Sequence, residues 1–314
     1  MEVKTNNNEL FAYASLIFAM LLYGSTFLAM KVVLDNYNPV TMIAIRMLFA
    51  SVLFLPFLFT TYKNIKIQKS DFKILFLMIL AEPCLYFIFE GYALQNTTSS
   101  QAGIVNALEP IFITIGAAFI LNERMPKIAY LGFIIAIIGS VFLSISAQAT
   151  ESAPNPLLGN FLEVIAIVLT ALSIIATKYL MDKYPPFYLA GCQIIGGAIF
   201  FMGLNYFMYG SFEIKTGISL VILIYLALLT VVTYALYNFS MCSLSASKAS
   251  PFLYLMPVFA MIFGWFFLDE ILTKTQIFSC FIIFFGIYLT QTNYKRKLVK
   301  IRNKAKSISR KISF

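Results

Sequence analysis

The chain has no histidine, a single tryptophan and only 12% charged residues over 314 positions. Histidine is the side chain most used as a general base and metal ligand near neutral pH. Its absence excludes Ser-His chemistry, and no metal, cofactor or enzymatic activity is expected. Four cysteines, Cys84, Cys192, Cys242 and Cys280, lie far apart within or beside apolar stretches. That spacing fits neither a zinc site nor a disulfide framework, so they read as small buried hydrophobes. A phosphate-cradling loop of the GxxxxGK[ST] kind is also missing, which argues against direct ATP drive.

What the chain has is apolar surface. Hydrophobic residues make up 60% of it, with 32 Phe and 18 Tyr. Soluble domains carry about 45–50% apolar and about 25% charged residues, so one aqueous core cannot hide this much, and lipid is the remaining solvent. A membrane helix needs about 20 apolar residues. Ten segments qualify: 12–34, 39–62, 72–93, 97–120, 127–146, 158–181, 186–209, 217–241, 247–268 and 274–292. Breakers separate them, among them Asn38-Pro39, Pro154 with Pro156, and Pro185-Pro186. The first segment is too long for a signal-peptide core and runs on into another span, so it is expected to be retained.

The net charge of +9 comes largely from a tail: nine of the 23 Lys and Arg residues fall between Lys295 and Lys311. With both termini cytoplasmic, inner segments and tail hold 19 basic residues against 3 in outer segments, and Arg46 lies within a span. The positive-inside rule therefore predicts a plasma-membrane protein with both ends cytoplasmic. The tail is positioned to meet anionic lipid headgroups, and nucleic acid is not an expected partner.

A shift of 147 residues brings Lys31 onto Lys178, Asp35 onto Asp182, Tyr37 onto Tyr184 and Pro39 onto Pro186. The same ungapped shift aligns Ala102 with Ala249, Pro110 with Pro257, Glu123 with Glu270 and Gly139 with Gly286. Shared membrane composition explains matched Leu and Ile, but not matched charges and prolines. The predicted organisation is a first repeat over 1–147, a linker over 148–156, a second repeat over 157–293 and a basic tail over 294–314. Five spans per repeat is an odd number, so the second copy enters from the opposite face, giving an all-α membrane protein of ten transmembrane helices in two inverted five-helix repeats.

Several motifs carry a family resemblance: "YGSTFLAMK" from Tyr23, Arg46 with Phe49, "YALQNTTSSQAGIVNALEPIF" from Tyr92, and "LNERM" from Leu121. The second half answers with "SLSASKASPFLYLMPVFAMIFGWFFLDEIL" from Ser243. On these the chain resembles the drug/metabolite transporter superfamily, specifically its EamA-type ten-helix members. The resemblance implies transport of a small metabolite and leaves the cargo unnamed. One departure is that Gln193 stands where the first repeat has Arg46.

Ionisable residues inside lipid cost about 2.5–3.5 kcal/mol on insertion scales and need an explanation. Arg46, Glu82, Glu90 and Glu109 are the main cases, all in the first half. Arg46 falls ~10 Å, Glu82 ~16 Å and Glu109 ~18 Å below the outer face, with Glu90 only ~4 Å deep. Two readings stand: a polar cavity in which Arg46 meets an anionic cargo group or a carboxylate, and an Arg–Glu pair that only locks helices. The expected cavity set is Arg46, Glu82, Glu109, Gln193, Tyr234 and Asn238, with Glu90 at an outer mouth. Pro110 and Pro257 are expected to bend their helices, and Glu123 and Glu270 to stabilise loop and helix ends. The predicted function is a secondary transporter moving a small amino-acid-like, polar or amphipathic solute by alternating access. A non-transporting receptor or scaffold is the alternative, and a homodimer is compatible with either.

Overall fold

The computed structural model describes residues 2–62, 65, 67–120, 127–210, 214–243, 252 and 255–289. Among these there is no β-strand beyond an isolated bridge between Thr150 and Ala153. The helices are α1 (Glu2–Leu34), α2 (Pro39–Thr61), α3 (Phe72–Ile79), α4 (Tyr86–Asn96), α5 (Ser99–Asn106) and α6 (Glu109–Ile120). They continue as α7 (Lys127–Ile145), α8 (Pro156–Met181), α9 (Pro186–Tyr209), α10 (Ile218–Ser243), α11 (Leu255–Leu268) and α12 (Lys274–Leu289). Five segments are long and apolar enough to cross a membrane: Leu10–Leu34, Pro39–Leu58, Lys69–Asn96, Pro156–Met181 and Pro186–Tyr209. Shorter apolar helices run over Tyr130–Ile145, Ile218–Thr233, Leu255–Leu268 and Lys274–Leu289.

Local chemistry sets the ends. Asn38 caps α2, its side chain accepting from Thr41 N at 2.9 Å with Pro39 in the first turn. Asn155 does the same for α8, accepting from Leu158 N at 3.2 Å ahead of Pro156. Both use a side-chain oxygen and a proline where helical N–H groups have no partner. Gly210, at φ 73°, ends α9 in the left-handed region that glycine tolerates best.

Two spans that read as continuous are interrupted. The third is broken by a wide turn over Leu80–Leu85, where Glu82 is extended at φ −144°, ψ 122°. Glu82 precedes Pro83, whose ring clashes with a helical conformation at the residue before it. The fourth stops at Asn106 and restarts at Glu109, so Pro110 stands in the first turn of α6 rather than inside a helix.

The chain forms two compact units. One comprises Thr114–Ser146 with Leu272–Phe314, and its described helices include α7 and α12, the fifth and tenth spans. A Cβ on Gly139 would come within 2.9 Å of Ile283 N, and one on Gly286 within 2.5 Å of Ala136 N. This pair therefore approaches backbone to backbone, as small residues allow in lipid.

The other unit, Met1–Ile113 with Ala147–Ile271, holds α1–α5, the start of α6 and α8–α11. Here α1 packs on α10 and α11, while α8 packs on α3, α4 and α5, and α2 packs on α9. Met30, Met42, Ile43, Ile45, Met47 and Phe201 are fully buried at its centre. Phe207, Phe11 and Trp265 face outward, 88%, 63% and 62% exposed, an arrangement suited to a hydrocarbon surround.

Hydrogen bonds cross between sequence halves at matched positions. The Tyr37 hydroxyl accepts from Lys215 N at 2.7 Å, and the Tyr184 hydroxyl accepts from Gln68 N at 2.9 Å. Tyr184 lies 147 residues after Tyr37, and Lys215 lies 147 after Gln68. The Tyr184 hydroxyl also donates to Asp71 at 2.9 Å, beside a 2.8 Å ion pair from Lys183. That carboxylate bond raises the pKa of the Lys183 ammonium above the ordinary lysine range.

Candidate functional site

Position 46 and its counterpart at 193 both reach into the opposite half. Arg46, on α2, is 6% exposed and donates to Thr230 Oγ1 of α10 through Nε at 3.3 Å and Nη2 at 3.2 Å. Its Nη1 meets Met30 Sδ at 3.4 Å, and the guanidinium lies 4.7 Å from the centre of the Phe87 ring. Gln193, on α9, donates Nε2 to the Glu82 carbonyl at 3.0 Å and to Ser173 Oγ at 3.1 Å. The carbonyl freed by the break before Pro83 is thus answered by a side-chain amide. Both residues are buried.

The carboxyl groups divide by exposure. Glu82 and Glu109 are half-buried, as are Tyr23, Tyr86 and Tyr237. Tyr23 and Tyr237 pack against one apolar cluster formed by Ala12, Leu16, Ala19 and Met20. Glu90 is instead 3% exposed: the Tyr86–Glu90 face of α4 turns inward, and Tyr86 Oη donates to Glu90 Oε1 at 2.5 Å. The expected outer-mouth exposure of Glu90 is therefore not what the fold provides.

A fifth charged residue went unforeseen. Glu163, on α8, is fully buried and accepts from Asn106 Nδ2 of α5 at 3.0 Å. The membrane charges are not confined to the first half. Its signal was in the sequence: Asn160, Glu163, Thr170 and Ser173 form a stripe along one span at helical spacing. Asn160 on the same stripe accepts from Thr97 Oγ1 at 2.7 Å and donates to Gln101 Oε1 at 3.0 Å. The Glu90 and Glu163 Oε2 atoms are buried without a hydrogen-bond partner.

At one end of this unit the charges are structural. Lys31, 7% exposed, donates to the carbonyls of Leu94, Thr97 and Ser152, the Thr97 bond being 2.6 Å. Glu270 accepts from Ser99 N and Ser100 N, each at 2.8 Å, and from Ser99 Oγ at 3.0 Å. It thereby supplies a negative cap at the start of α5, as expected of a helix-end residue. A Cβ on Gly264 would fall on Ser100 Oγ and Glu270 Oε2, so α11 and α5 meet only because that side chain is absent. Lys31, Asp35, Ser152 and Glu270 also line a small cavity, its lysine and glutamate already engaged.

The side chains of Tyr234 and Asn238 lie outside the described residues, as do Glu123 and residues 244–251. Pro257 is buried in the first described turn of α11.

Comparison with known proteins adds the following. A family model described as "EamA-like transporter family" matches residues 10–145 and again 157–292, the matches offset by 147 residues. The chain is 26% identical to the uncharacterized transporter YetK of Bacillus subtilis, over 91% of this chain and 88% of that one. It is 28% identical to an uncharacterized transporter of Archaeoglobus fulgidus, over 90% and 86% of the respective chains. A WAT1-related chloroplastic protein of Arabidopsis thaliana is 22% identical, over 87% of this chain and 68% of its own. A solved crystal structure superposes with a TM-score of 0.62 at 16% identity, over 93% of this chain and 99% of that one, a likeness of fold.

Proposed function

This chain belongs to the EamA-like transporter family, and from that premise we propose a secondary transporter that moves a small polar or amphipathic metabolite across the plasma membrane by alternating access. Two five-helix repeats of inverted topology enclose one site near the midplane, with both termini cytoplasmic.

The observation that carries the reading is reciprocity at a fixed offset. Tyr37 receives Lys215 while Tyr184 receives Gln68, and positions 46 and 193 each reach across to the other half. Two family matches with the same offset support it. Inverted repeats that grip each other in this way exchange two similar conformations around a central site, opening it to one face at a time.

The test is flux. Full-length protein in proteoliposomes, assayed with a panel of amino acids, amines, sugars and nucleotide-linked metabolites, is expected to transport at least one class. Arg46→Ala is expected to cut that flux about tenfold or more, since it empties the buried contact with Thr230 and Phe87. Folded protein that moves no member of the panel overturns the reading. Orientation has its own check: a reporter fused after Phe314 should report from the cytoplasm.

A further inference from the structure

The charges that fix one end of the α1–α5 unit also contain a means of releasing it. Lys31, in the last turn of α1, donates to the carbonyls of Leu94 in α4, of Thr97 just past it, and of Ser152 before α8. It thus ties α1, which packs on α10 and α11, to α4, which packs on α8. The segment holding Ser152 goes with α4, because Asn155 N donates to the Asn96 carbonyl at 3.2 Å. The start of α10 goes with α1, through a 3.1 Å bond from Asn36 Nδ2 to Ser219 Oγ. All three acceptors of the buried ammonium are uncharged carbonyls. A carboxylate nevertheless stands close by. Asp35 lies four residues on, the spacing that brings side chains together on a helix face, and it is exposed. It lines the same small cavity as Lys31, Ser152 and Glu270. Among the described residues the one ion pair is Lys183–Asp71, so Asp35 stands beside Lys31 without holding it.

We propose that Lys31 is a two-position latch for this end of the bundle. Bound to Leu94, Thr97 and Ser152 it keeps the end closed; turned to Asp35 it lets α1 and α10 part from α4 and the linker. Lysine suits the task, being a compact charge with three rotatable donors on a flexible four-carbon stem. The cavity gives that head group room to turn. Exchange of three carbonyls for a carboxylate and water keeps the charge satisfied in either place. The inference rests on the transporter reading, for which it names the device that opens one end.

Spin labels at two exposed positions, Thr216 ahead of α10 and Glu151 in the linker, read the separation across this end. They are placed in full-length protein whose four native cysteines are replaced by alanine and whose thermal unfolding matches the parent. Pulsed dipolar spectroscopy in lipid nanodiscs is expected to give two distances, a short one for the closed end and a longer one for the open end. Lys31→Met removes the carbonyl bonds and should raise the long-to-short ratio about tenfold or more. Asp35→Asn removes the alternative partner and should lower that ratio about threefold. Opposite signs separate a latch from a clamp, since a purely structural Lys31 gives Asp35 no influence on the distance. Where Lys31→Met fails to fold, Asp35→Asn decides alone. A single distance in the parent, or a ratio that Asp35→Asn leaves unchanged, overturns the proposal while any flux in proteoliposomes keeps the transporter reading. Two distances that respond as stated, in a protein that moves no compound of the panel, support the latch and remove the transporter reading.

Discussion

Lys31 and Lys178 occupy the same register of the two halves and live in opposite surroundings. Lys31 is 7% exposed and holds three backbone carbonyls, while Lys178 is exposed near the end of α8. A few residues on, Tyr37 and Tyr184 are equally buried, at 6% each, and make the same kind of bond across to the other half. Matched residues thus behave alike at one level of the bundle and differently at the next. The tyrosines act as anchors common to both halves; the lysines are matched in type and differ in burial.

Substitution can break this contrast. The largest effect is expected from Lys31→Met, which leaves three carbonyls without their donor. At about 1 kcal/mol or more for each unmet buried group, the loss is about 3 kcal/mol. Lys178→Met should cost less than about 0.5 kcal/mol, as an exposed position does. Thermal unfolding in detergent measures both, and equal losses would erase the distinction. Next comes Glu270→Gln, which keeps the shape but turns an amide N–H₂ toward Ser99 or Ser100. About 1–2 kcal/mol should go with the cap, together with helical signal from α5. Below the cap come the anchors: Tyr37→Phe and Tyr184→Phe should each cost about 1 kcal/mol, through the hydroxyl bond to a backbone N–H. A large cost for one and none for the other would show that the anchors are not equivalent.

The apolar runs and their breakers made most helices legible in advance, and the 147-residue register aligned Tyr37 with Tyr184 without naming their partners. Other features were hidden for physical reasons. Pro83 was visible, yet a proline within an apolar run is tolerated in membrane helices and did not reveal a full break at Glu82. Glu163 went unnoticed because the second half is poor in charges, although its polar stripe was present. No sequence pattern distinguishes a half-buried carboxyl such as Glu109 from a buried one such as Glu90. That depends on how α4 is turned against α8, which only tertiary packing decides.

The reach of Arg46 also has a consequence in time. Its hydroxyl partner lies 184 residues further along the chain. Ribosomes add about 5–20 residues per second, so roughly 10–40 s separate the synthesis of Arg46 from that of Thr230. Throughout that interval the guanidinium can meet its first-half neighbours Met30 and Phe87, but not the Thr230 hydroxyl. The full set of contacts around that charge is therefore complete only once α10 of the second half has been made.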